Sequence, residues 1–307
     1  MTPDLVPPRD ESPAAHRHPG LVAFAYGYRA LVGILVALPA AAVIGAATTS
    51  WPHGQSELFA PGGVLLLESL RLARRGIPAA VYSGGAIAAV ALLAGVVPLG
   101  ALLAGLGRRG RAPLAFLASL AAAHAGTLAL LFGLGALAQG IVAAVAVLLG
   151  SKVLDLLALA SPGDDLAFLA LFAVVLALVC VVGVLRDLAA VAAVHGELRF
   201  YLAASRALRT ARMAAGRALG AWAWRSALGL GCVVVAAGLS PSLASTTTAR
   251  VLLGVALHQG AILGVTFAHA SWLAAAMRLH HATEPEAPEA PEEPAPPAPA
   301  TAGSESD

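Results

Sequence analysis

Ionisable side chains are costly inside an apolar stretch, so the few that occur in the long uncharged runs of this 307-residue chain are the first candidates for chemistry. His258 and His269 stand eleven residues apart in one such run. On an α-helix that spacing is three turns, which puts both within about 20° of one face and about 16 Å apart along the axis. Gln259 and Thr266 flank the stripe, and His124 with Thr127 lies near the middle of another apolar run. Imidazole as a class changes charge between pH 5 and 8, so three along an interior path would pass protons or hold an anion. The plainer reading is interhelical hydrogen bonding to carbonyls or hydroxyls on a neighbouring helix. Metal ligation is disfavoured by the separation of the two histidines and by the lack of a membrane carboxylate beside them. No cofactor motif is present, and neither a cofactor nor a bound metal ion is expected.

Other spacings carry less. His195 and Glu197 form an H-x-E, which a zinc deaminase would complete with a downstream cysteine pair that this chain lacks. Gly216 with Gly220 and Gly260 with Gly264 spell G-x-x-x-G, a spacing that permits close helix crossing, but 32 glycines produce such pairs by chance. Arg199, Arg206 and Arg217 share one face of a basic amphipathic segment, where they would contact anionic lipid headgroups or simply fix topology. Cys180 and Cys232 both fall within apolar runs, where a small polarisable side chain packs well. Nucleic-acid binding has no support, because membrane attachment accounts for the basic helix.

The elements that must position these residues follow from composition. With 59% hydrophobic and 12% charged residues, too few polar side chains exist to solvate a globule of this length. The expected fold is all-α, a polytopic membrane helix bundle of about six transmembrane helices with interfacial amphipathic helices. Residues 1–20 are expected as a disordered tail, rich in proline and charge and without the apolar run of a cleavable signal, so that the first span directs insertion. The transmembrane domain covers 21–281, with spans at about 28–50, 79–106, 114–138, 165–185, 219–239 and 251–277. Interfacial helices are expected at about 62–75, 141–160 and 186–217. Residues 282–307 form an acidic Pro/Ala/Glu tail, again expected to be disordered. The uncharged run from Ala112 to Gly150 would measure ~58 Å as one helix, beyond the ~30 Å hydrocarbon core. An interruption is therefore expected where Gly133, Gly135, Gln139 and Gly140 cluster.

Basic residues set the orientation. With both termini in the cytoplasm, only Arg71, Arg74, Arg75, Arg250 and Lys152 of the 19 basic residues fall outside. The arginine bias of the whole chain suggests a bacterium, and hence its inner membrane. The segment Arg186–Leu188 through His195 and Gly196, then Ala203–Arg212 and Gly216–Trp222, resembles the cytoplasmic connection of uncharacterised bacterial six-span proteins. Those proteins are loosely similar to the membrane region beside some glycerophosphodiester phosphodiesterases. The resemblance implies an Arg-Asp at a span end, a basic helix and a return span, and it carries over no catalytic residue, because the soluble phosphodiesterase domain is absent.

Two functional expectations result. The first is a non-enzymatic membrane component whose partners are the lipid bilayer and a second copy or another membrane protein. The alternative is a transporter or channel for protons, a small solute or a lipid, using His124, His258 and His269. An intramembrane enzyme ranks last, because no nucleophile with a base and no cluster of carboxylates lies at depth.

Overall fold

The computed structural model describes residues 12–49, 64–110, 112–157, 163–240 and 248–284. Their helices are α1 (Pro19–Thr48), α2 (Val64–Leu72), α3 (Ile77–Ala94), α4 (Val96–Leu106), α5 (Leu114–Leu157), α6 (Gly163–His195), α7 (Phe200–Met213), α8 (Ala215–Leu239) and α9 (Thr248–Ala282). Among the described residues there is no β-strand. Six segments among the described residues are long and apolar enough to cross a membrane: Pro19–Thr48, Ile77–Leu106, Ala115–Val153, Leu166–His195, Ala215–Leu239 and Ala249–Ala282. The fold is thus an all-α polytopic bundle, because in hydrocarbon a helix satisfies its own backbone and an irregular segment cannot.

Local chemistry explains the breaks. The second span divides into α3 and α4 at Gly95, three residues before Pro98. Pro98 has no N–H to donate to the Ala94 carbonyl and its ring crowds that group, so the helix is interrupted one turn upstream. Gly95 then bonds back to Ala91, and the Tyr28 hydroxyl of α1 donates to the same Ala91 carbonyl. At the end of α6, Glu197 adopts a positive φ of 53°, which closes the helix and lets the chain reverse into α7.

Several expected boundaries move. The interruption at 133–140 is absent: α5 continues unbroken for 44 residues, so the part of the expected 141–160 helix that is described, up to 157, is continuous with the third spanning helix. The expected long interfacial helix over 186–217 is three pieces. Residues 186–195 complete the spanning α6, α7 is separate, and 215–217 open α8. Apolar sequence on both sides of Arg186 and Asp187 keeps this pair within the spanning helix. The expected N-terminal tail is ordered over part of its length. Pro13 and Ala15 are buried, Arg278 donates to the Pro13 carbonyl, and α1 starts at Pro19. Residues 1–11 and 285–307, on which the rest of the two tail expectations fall, lie outside the described residues.

One end of the bundle, where α1 and α8 begin and α4, α6 and α9 end, holds the core. Leu103, Leu106, Leu128, Leu188, Val191, Trp272, Leu273 and Met277 pack there with a run of alanines on α6 and α9. α7 seals this end, turning Ala203, Ala207 and Thr210 inward and leaving Tyr201 and Leu208 exposed.

Candidate functional site

Beneath that core, α1, α6, α8 and α9 each carry a charged or titratable residue into the span. Counted along their own helices at 1.5 Å per residue, Arg29 and Arg225 lie about 15 Å inside the starts of α1 and α8, and Asp187 about 12 Å before the end of α6. His269 lies about 20 Å before the end of α9. Four helices therefore bring polar groups to a common depth from one end.

Asp187 is the hub, only 4% exposed. Its Oδ1 accepts from Arg186 Nε (3.3 Å) and Nη2 (3.1 Å). Its Oδ2 accepts from Trp272 Nε1 at 3.0 Å and lies 3.5 Å from His269 Nε2. On the other side of the ring, Arg29 Nη2 is 2.7 Å from His269 Nδ1. A guanidinium only donates, so Nδ1 is the acceptor and the imidazole proton sits on Nε2, facing the carboxylate. The result is a continuous relay, Arg29 to His269 to Asp187 to Arg186. Arg29 also reaches the Thr266 hydroxyl at 3.5 Å, and Arg186 lies 4.5 Å over the Phe132 ring of α5. Arg225 is held by Ser271 Oγ (3.0 Å) and the Ala221 carbonyl (2.9 Å).

These groups surround a cavity of about 660 Å³, lined by Arg29, Arg186, Asp187, Arg225, His269, Trp222 and Trp272 at its polar end. Two smaller cavities also touch Arg29. One of about 300 Å³ runs to Tyr28 and Pro98, and one of about 290 Å³ runs to His258. Arg29 thus stands where three cavities meet.

The predicted residues fare differently. His269 sits in the relay. His258, exposed and 2.8 Å from the Gly254 carbonyl through Nδ1, borders the cavity that adjoins Arg29. His124, half-buried on α5, is not among the residues lining any of these three cavities. Arg199 and Arg217 are exposed, while Arg206 pairs with Glu284 at 3.4 Å. A Cβ at Gly264 would lie 2.6 Å from Cys232 Sγ, so α8 closes against that half of the Gly260/Gly264 pair within the chain itself. His195 and Glu197 line a small recess with Arg108, and no group of three His, Cys, Asp or Glu among the described residues could hold a metal ion.

Sequence reasoning missed Arg29, Asp187, Arg186 and Arg225 as site residues, counting the three arginines among the cytoplasmic basic residues that set orientation. One available signal was the apolar run Leu188–Val194 that continues past the Arg-Asp pair. Comparison with known proteins returns no match to a family model, a curated protein or a solved structure.

Proposed function

We propose that this protein is a multi-pass component of a bacterial inner membrane, with both termini cytoplasmic, that binds an anionic solute within the bilayer and moves it across. The observation that carries this reading is the cationic cavity: three guanidinium groups face one carboxylate inside the spanning helices. Each charge costs ~2.5–3.5 kcal/mol at the centre of a bilayer, so a simple scaffold gains nothing from retaining three arginines there. Two cavities that share Arg29, Val233 and Val265 in their linings lie along a course for a solute from His258 past Arg29 to the relay at Asp187. Of the two expectations drawn from the sequence, transport is the one these features favour. The histidine stripe enters it in altered form, with His269 orienting Arg29 and Asp187 and His258 lining the adjoining cavity.

The test is flux. Proteoliposomes loaded with a pH-reporting dye are given an external phosphate gradient under a fixed membrane potential. The expected outcome is phosphate-dependent flux with the wild-type protein and its loss in Arg29→Gln. Flux equal to that of protein-free liposomes would end the transport reading for this anion. Thermal stabilisation by phosphate in detergent reads the binding half separately.

A further inference from the structure

The cavity has a second wall that a small hydrophilic anion does not need. Beyond Arg186 and Arg225 it is bounded by Val179, Cys180 and Gly183 of α6 and by Leu230 and Val233 of α8. Leu230 and Val233 line the cavity and are nevertheless 63% and 45% exposed. They belong to the outer flank of the bundle, so the cavity opens sideways toward hydrocarbon. At its head, the three guanidinium groups offer five N–H donors each. The bonds described above use six of these: two each from Arg29, Arg186 and Arg225. The remaining donors lie at a depth where an unsatisfied polar group is expensive. Asp187 neutralises one charge of the three.

From this juxtaposition, excess guanidinium donors at one end and a laterally open apolar slot at the other, we infer that the ligand is an acyl amphiphile with a single anionic head. Its carboxylate or phosphate lies between Arg225 and Arg186, and its chain lies along Val179–Cys180 and Leu230–Val233. Arg225 is the recognition residue most exposed to such a head, because its two bonds go to a neutral hydroxyl and a carbonyl while Arg186 is committed to Asp187. The inference rests on the anion-binding reading above and narrows it to a ligand that enters from the bilayer.

The full-length protein in detergent is photolabelled with a long-chain fatty acid carrying a mid-chain diazirine, and with the methyl ester of the same probe. The expected result is adducts on the α6 and α8 wall residues. Labelling by the ester should be weaker by about tenfold, the loss of one charge-assisted contact. Arg225→Gln should lower acid labelling by about the same factor and Arg225→Lys should restore part of it. Val233→Trp, at an exposed wall position, should block acid labelling. Equal labelling by acid and ester, or adducts confined to other faces, overturns the amphiphile. If phosphate still stabilises the wild type but not Arg225→Gln in that case, the anion site stands without the acyl slot. If phosphate has no effect either, both readings fall.

Discussion

The two ends of this bundle both carry large apolar side chains and end up differently. At the end that carries the relay, Leu103, Leu106, Ala190, Val191, Leu273 and Met277 are fully enclosed. At the opposite end, Leu148, Leu149, Leu166 and Phe168 are each more than 60% exposed. In water that contrast would mark an unfinished core, but lipid tails solvate leucine as well as another helix does, so exposure there costs nothing. Ala189, Ala190, Ala192 and Ala193 and the run Ala274–Ala276 explain the tight end, since small side chains let backbones approach. The polar relay lies beneath that packed seam and borders the cavity. Tight packing thus marks where the chain must hold geometry, and the charged groups mark why.

The largest expected asymmetry follows from removing the hub. Asp187→Ala strands Arg186 and takes an acceptor from Trp272 and His269, and breaking a buried pair by deleting one member costs roughly 3–5 kcal/mol. Leu148→Ala at the open end should change stability by no more than about 0.5 kcal/mol. Thermal unfolding of both variants in one detergent reads the difference, and equal losses would show that the relay holds no geometry. Trp272→Phe sharpens the point at smaller scale. It removes the N–H to Asp187 together with part of the buried indole, with an expected cost of about 1–3 kcal/mol. A loss below a few tenths would mean that Arg186 and His269 satisfy Asp187 alone.

The sequence made the spans legible and hid the site, for a physical reason. Charge-free length is a local property, and it identified six spanning segments before any contact was known. A single arginine in the first turns of a span has two readings, a topological anchor that snorkels to the headgroups or a buried ligand, and the choice depends on what neighbouring helices present. Arg29 and Arg225 were read as anchors because their partners, His269 and Ser271, lie more than 40 residues away. His124 is the converse case: its depth was legible, but periodicity within one helix does not say which face meets the cavity. The expected break in α5 weighed glycine as it behaves in water. Within a bilayer, opening the helix would expose carbonyls with no partner, and the helix continues through Gly133 and Gly140.

That continuity gives the finest test of the contrast between a held seam and an open face, on glycines two residues apart in α5. A Cβ at Gly133 meets nothing within 4 Å, whereas one at Gly135 would sit 2.9 Å from Arg186 Cδ. Gly133→Ala should therefore stabilise by about 0.5–1 kcal/mol, the ordinary gain of alanine over glycine in a helix. Gly135→Ala should have the opposite sign. The Arg186 stem is pinned between Phe132 and Asp187 and cannot swing clear without loosening one of them. Unfolding temperatures measured side by side decide it. Two stabilised variants would mean that Arg186 is free to move, while two destabilised ones would mean that the helix needs its glycines after all.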